Sequence, residues 1–215
     1  MYRRHFIALA LAGASVGASW PAIAAGKGTA TQTIMVVGDS LSAEYGLKRG
    51  TGWVALLENR LKAEKINAVV VNASISGDTT SGGRSRLNVL LTQHRPSHVI
   101  IELGGNDALR GLPLSLTEDN LRQMTQAAQQ AGARVLLVGM QVPPNYGRDY
   151  AERFADMFAT VAKGHKAALV PFLLAGVGDG PDPTKMFQAD RIHPKEEAHP
   201  IMLANVWPAL RKLLP

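Results

Sequence analysis

The 215 residues carry 23 Lys and Arg against 17 Asp and Glu, a formal charge of +6, with 46% apolar residues and no cysteine. That length allows one globular domain with its own core, and the missing cysteines exclude disulfides and a lipid-modified cysteine anchor. The cations are scattered, without runs or interleaved aromatics, so nucleic-acid binding is excluded as a leading reading; transient contact with an anionic membrane surface is compatible with the charge.

Arg3-Arg4 precede a short apolar stretch from Phe6 to Ala12 and an Ala22-Ile23-Ala24 end, the layout of a signal peptide over residues 1–24. Gly13, Ser15, Gly17 and Ser19 interrupt the apolar run, which falls short of the ~20 residues of a membrane span. The two arginines fit a Sec signal and also resemble a twin-arginine signal. A periplasmic or secreted location is expected for residues 25–215, which read as one domain.

Residues 33–37 form the first expected strand. Its apolar run Ile34-Met35-Val36-Val37 stops at Gly38-Asp39-Ser40. A Gly-rich loop follows, then a helix from about 52 to 65 with Trp53, Leu56, Leu57 and Leu61 on one face. Residues 68–71 read as a strand covered on both faces, being continuous and apolar. A loop through Ser76-Gly77-Asp78 leads to a helix near 84–93.

The third strand, 98–103, ends at Gly104-Gly105-Asn106-Asp107. Thr117 is expected to cap the next helix, which stops at Gly132. A strand at 134–138, a turn at 143–147, a helix at 150–163 and a short strand at 168–172 follow. The last helix, about 197–214, has Pro200 in its first turn. Five strands alternating with helices predict an α/β fold with a parallel sheet and helices on both faces.

In such a sheet the strand ends share one edge, where ligands bind. Gly38-Asp39-Ser40, Ser76-Gly77-Asp78 and Gly104-Gly105-Asn106-Asp107 therefore converge. Asp190-Arg191-Ile192-His193, ahead of the last helix, supplies a base with an acid three residues before it. Ser40 is the candidate nucleophile, His193 its general base and Asp190 the acid that orients the ring. The backbone N–H groups of Ser40 and Gly77 and the Asn106 amide are candidate oxyanion donors. Asp39, Asp78 and Asp107 read as turn-formers. His199 is expected at the surface, and His94, His98 and His165 as structural. Gly77 with Gly82-Gly83-Arg84 lacks the Lys-Ser/Thr of a phosphate loop. Asn72-Ala73-Ser74 matches a glycosylation acceptor by letters only. No cofactor and no metal site are expected.

Gly38-Asp39-Ser40-Leu41, Gly77, Asn106 and His193, each in its own block and in this order, resemble the SGNH hydrolases, the lipases and acylhydrolases named for Gly-Asp-Ser-Leu. The resemblance implies a flavodoxin-like three-layer α/β/α sandwich with a five-stranded parallel sheet, and the roles assigned above. The stretches 72–79, 102–111 and 144–147 are similar to a branch of periplasmic bacterial thioesterases, lysophospholipases and arylesterases. One departure stands out: Arg191 occupies a position where that family usually has glycine, which would reshape the loop or place a cation beside the site.

Leu109, Leu112, Leu114 and Tyr146 fall in loops beside the site. They would line an acyl groove, or form a small satellite core. With Arg191, residues Leu109, Leu112 and Tyr146 are the substrate-binding candidates. The expected enzyme is a monomeric serine esterase acting on small acyl esters, thioesters or lipids. A carbohydrate O-deacetylase and a non-catalytic periplasmic binding module are the alternatives.

Overall fold

A computed structural model describes residues 31–180, 182 and 184–215. The expected signal segment, residues 1–24, lies outside them. Strand β1 spans Gln32–Gly38 and β2 Ala68–Asn72; β3 is His98–Glu102, β4 Arg134–Val138 and β5 Ala168–Val170. All pairings are parallel and the sheet order is β2-β1-β3-β4-β5. This is the flavodoxin-like order, and its switch point lies between β1 and β3, where the chain leaves first to one side and then to the other. The cleft outside that point is the ligand position of such folds.

The apolar runs explain which strands are central. Ile34, Met35, Val36 and Val37 of β1 and Val99, Ile100 and Ile101 of β3 are wholly buried. Each such side chain removed from water contributes about 1.5–3 kcal/mol, so the rigid support under the switch point is also the most stabilised part of the sheet. The expectation that the second strand is covered on both faces is not met. As an edge strand β2 leaves Val69 53% exposed and Asn72 facing solvent. β5 is shorter than expected because Pro171, next after it, has no N–H to extend the ladder.

Helix α1 (Trp53–Ala63) buries Trp53, Val54, Leu57 and Leu61, and α2 (Thr80–His94) buries Leu87 and Leu91. A short helix α3 (Gly105–Leu109) follows β3, and α4 spans Leu114–Gln130. α5 (Arg148–His165) places Phe154, Met157, Phe158 and Val161 inward. α6 (His199–Arg211) follows a 3-10 turn, Glu196–Ala198, and carries Pro200 in its first turn. α1 packs with α6, and α4 packs with both α2 and α5, giving one helical layer on each side of the sheet. No helix among the described residues is long and apolar enough to cross a membrane.

Thr117 does not open α4. Leu114 does, with Pro113 at the cap. The Thr117 hydroxyl is buried inside the helix and donates instead to Asp107 Oδ1 at 3.3 Å.

Candidate active site

β1 ends in a turn built around Asp39. Its carbonyl accepts the N–H of Ser42 and Ala43, and its Oδ1 accepts the N–H of Leu41 at 3.0 Å. The turn lifts Ser40, half-buried, out of the sheet edge. After β2 the chain keeps pairing with β1, since Ala73 N–H donates to Val36 O and Ile75 N–H to Gly38 O. That pairing brings the loop of Gly77 to the sheet edge where β1 ends. Gly77 sits at φ +77°, a left-handed conformation that a Cβ disfavours. Asp78 accepts the Thr79 N–H and pairs with Arg86 at 2.8 Å, holding the loop from its far end. After β3, Asn106 lies in α3, and buried Asp107 accepts from the Thr80 backbone, the Thr80 hydroxyl and Thr117.

The last loop completes the group. His193 Nε2 lies 3.0 Å from Ser40 Oγ, and His193 Nδ1 lies 2.6 Å from Asp190 Oδ2. Asp190 Oδ1 accepts the N–H of Ile192 and of His193, so one carboxylate shapes the turn and fixes the ring. The bond to His193, then those two backbone N–H groups, hold the Asp190 carboxyl down at about 2. With Asp190 on Nδ1, Nε2 is the nitrogen that faces the serine hydroxyl. Tyr45 packs its ring on His193, centroids 4.2 Å apart. It went unnoticed in the sequence, where it is one aromatic in a Gly-rich loop.

Asn106 Nδ2 donates one hydrogen to Asp39 Oδ2 at 2.9 Å, which leaves its second for another acceptor. Neither Ser40 N–H nor Gly77 N–H is spent on a protein acceptor among the described residues. Each of the three groups keeps an unspent donor, as the expected oxyanion role requires.

A second carboxyl lies beneath the turn. Glu102 is wholly buried, and its Oε2 accepts the Ser42 hydroxyl at 2.7 Å and the Asp39 N–H at 3.4 Å. It reaches this place because residue 38 is glycine: a Cβ there would meet Glu102 Oε2 at 2.8 Å. Its Oε1 has no hydrogen-bond partner among the described residues. Burial, then the charge of Asp39, pushes the Glu102 carboxyl well above the usual range. Burial also raises Asp39 to about 6, against the opposing bonds from Leu41 and Asn106. In the sequence Glu102 has no role of its own: it falls inside the expected strand 98–103 and opens the 102–111 stretch of the resemblance.

The expected surface position of His199 is wrong. It is 2% exposed, and its Nδ1 accepts the Trp53 N–H at 3.0 Å. Among the described residues nothing else accepts that backbone N–H at the start of α1. His98 is structural as expected, bonded to Ser97 Oγ and the Leu213 carbonyl.

Among the substrate-binding candidates, Leu109 is 51% exposed beside Arg110, whose Nη2 donates to the Gly77 carbonyl at 2.7 Å. Leu112 is half-buried under that loop, with its N–H on the Asp107 carbonyl. Tyr146 stacks on Tyr150, and Tyr150 on Phe154, so this end of the loop cluster joins the core of α5. Arg191 is exposed at φ +59°, a left-handed residue where glycine is the unstrained choice. A hollow of about 510 Å³ lined by Gly50, Thr51, Leu56, Glu196, Glu197 and Pro200 does not include Ser40 or His193. Among the described residues no cluster of three or more His, Asp or Glu side chains is placed to hold a metal ion.

With this geometry in place, the profile of the GDSL-like Lipase/Acylhydrolase family matches residues 36–201. The chain belongs to that family. It is 53% identical over 185 residues to Esterase TesA of Pseudomonas aeruginosa, covering 86% of this chain and 90% of the relative. The crystal structure of TesA superposes with a TM-score of 0.82, at 53% identity, over 85% of this chain and all of the other. Thioesterase 1/protease 1/lysophospholipase L1 of Escherichia coli K12 is 42% identical over 176 residues, 82% of each chain. The fold is therefore that of the family, and the chain is a hydrolase.

Proposed function

We propose that this chain is an exported serine esterase that cleaves carboxylic esters or thioesters through an acyl-enzyme on Ser40. The observation that carries the proposal is the unbroken line Asp190 Oδ2, His193 Nδ1, His193 Nε2, Ser40 Oγ, at 2.6 and 3.0 Å. A serine hydroxyl needs an adjacent base, and the base needs an orienting acid; both are here in hydrogen-bond reach.

In the first half-reaction Ser40 Oγ attacks the scissile carbonyl carbon while His193 Nε2 takes its proton. The charge that forms on the carbonyl oxygen meets the N–H groups of Ser40 and Gly77 and the free Asn106 amide hydrogen. Losing one such donor costs about 3 kcal/mol of barrier. Collapse breaks the bond to the leaving alcohol or thiol, which takes the proton back from His193. Water then attacks the acyl-serine by the same route, and Ser40 is regenerated. Asp190 keeps its charge throughout and stabilises the imidazolium.

The names of the relatives, an esterase and a thioesterase/lysophospholipase, support acyl esters, thioesters and lysolipids as the substrate class. Exposed Leu109 with half-buried Leu112 and Tyr146 would take an acyl chain along the loop rim, and Arg191 would place a cation at its edge. Export rests on Arg3-Arg4, the short apolar stretch and Ala22-Ile23-Ala24. No cofactor is needed for this chemistry.

The test is a rate profile over p-nitrophenyl esters from acetate to palmitate, beside a lysophospholipid and an acyl thioester. Turnover of acyl esters that Ser40→Ala abolishes is the expected result. Release of acetate from acetylated polysaccharide, with no turnover of longer esters, would replace this reading with a carbohydrate deacetylase.

A further inference from the structure

The Ser40–His193 pair joins two segments that lie 153 residues apart in the chain. Its geometry therefore depends on how the segment from Ser40 to Trp53 is docked against the segment from Met186 to His199. Besides the pair itself and the Tyr45 ring packed on His193, two side chains hydrogen-bond across that junction among the described residues. Gln188 Nε2 donates to the Tyr45 carbonyl at 3.0 Å and to the Pro194 carbonyl at 3.1 Å. His199 Nδ1 accepts the Trp53 N–H at 3.0 Å. Pro194 directly follows His193, so the Gln188 side chain holds the chain one residue past the base. The Gln188 backbone N–H meanwhile donates to the His193 carbonyl at 2.8 Å.

The fit around these groups is close. Gly46 packs on the Gln188 side chain, where a Cβ would lie 2.2 Å from Oε1. Phe187 bridges Pro194 in antiparallel fashion, and Lys195 N–H returns to the Met186 carbonyl. His193 thus sits at the tip of a pinned hairpin-like loop.

We propose that Gln188 and His199 are positioning residues: as a two-point clamp, Gln188 on the Tyr45 and Pro194 carbonyls and His199 on the Trp53 N–H, they dock the His193 segment onto the Ser40 segment and so set the reach of Nε2 to Oγ. The inference rests on the catalytic reading of Ser40 and His193, and it goes beyond that reading. Misplacing a reacting group by about 1 Å can cost 10²-fold in rate, so a clamp remote from the substrate acts on kcat and spares KM.

The clamp works only with a neutral His199. Because Nδ1 accepts from Trp53, the other ring nitrogen carries the proton. A second proton would set an N–H against the Trp53 N–H. The charged groups facing the ring are Glu44, from the Ser40 loop, and Glu196, from the turn before α6. Both favour the imidazolium, yet burial outweighs them and lowers His199 from its ordinary value. A depressed histidine leaves the unfolded chain holding more protons below about pH 6.5, so this part of the stability fades as pH falls through that window.

The experiment compares full-length Gln188→Ala, His199→Ala and His199→Gln with the wild type. It measures kcat and KM on p-nitrophenyl butyrate at pH 8 and the melting temperature at pH 8 and pH 5. Gln188→Ala and His199→Ala are expected to lower kcat about 10-fold or more with KM within about twofold. His199→Gln can still accept from Trp53. It is expected to hold kcat within about twofold of wild type and to lose less melting temperature between pH 8 and pH 5. Folded Gln188→Ala and His199→Ala proteins with wild-type kcat would overturn the clamp. So would a His199→Gln variant as impaired as His199→Ala, or one with an unchanged pH difference in melting temperature. A wild type whose activity survives Ser40→Ala would defeat the catalytic reading instead, while the melting comparison would still report on the docking of the two segments.

Discussion

Two aspartates flank Ser40, and they live in opposite surroundings. Asp190 is in an exposed turn, takes three donors from the two residues His193 and Ile192, and is held down at about 2. Asp39 is buried at the end of β1, 3% exposed, above the fully buried Glu102, and is pushed up to about 6. The same side chain therefore serves as a permanent charge in one place and as a titrating acceptor in the other. Environments that push two like groups apart are how a site divides its work. Asp190 faces the base; Asp39 faces the Asn106 amide.

The largest expected effect breaks the Asp190 side. Asp190→Asn removes the charge beside the imidazolium and lets the ring adopt the wrong tautomer. A fall in kcat of about 10²- to 10⁴-fold is expected, with little change in KM, from steady-state rates at pH 8. Because Asp190 stays ionised down to about pH 2, activity lost between pH 7 and 5 does not come from Asp190.

Asp39→Asn tests the other side. Its amide can no longer act as a charged acceptor for Asn106, and the oxyanion donor loses its fixed orientation. A drop in kcat of roughly 10- to 100-fold is expected, smaller than for Asp190→Asn, with the fold intact by circular dichroism. Equal losses in the two variants would show that the sites do not divide the work in this way.

Stability separates them further. Glu102, raised by burial, keeps a proton that the unfolded chain releases above about pH 4.5. Folding is therefore penalised as pH rises past that value. Glu102→Gln removes the penalty and is expected to raise the melting temperature at pH 8 by roughly 2–4 °C, about 1 kcal/mol, with the gain vanishing near pH 4. A lower melting temperature at pH 8 would mean that Glu102 is stabilised as an anion.

Much of this arrangement was legible in the sequence. The central strands announced themselves because β1 and β3 are buried on both faces and carry unbroken apolar runs. Ser40, Gly77, Asn106 and His193 were found because each directly follows such a signal or sits by a turn. What stayed hidden depends on sheet order or on contacts across the chain. Val69 looks like a core residue until the order places β2 at the edge. His199 looks like surface because it follows Glu196 and Glu197, and its partner Trp53 lies 146 residues away. Thr117 resembled a cap, but Asp107 claims its hydroxyl. α3 was missed because its five residues open on a glycine and are too few to show a helical period.

Arg191 carries the smallest expected effect. It holds φ +59° with no side-chain bond among the described residues to offset the strain. Arg191→Gly is expected to raise stability by no more than about 1 kcal/mol, read by chemical denaturation, and to change kcat on neutral esters less than about twofold.

The central claim is that Asp190, through His193, makes Ser40 the nucleophile while Asp39 stands apart. Intact mass after reaction with a fluorophosphonate tests it directly. The wild type is expected to gain one adduct on Ser40, Ser40→Ala none, and Asp39→Asn one adduct formed more slowly. An adduct of equal yield on Ser40→Ala would contradict the account.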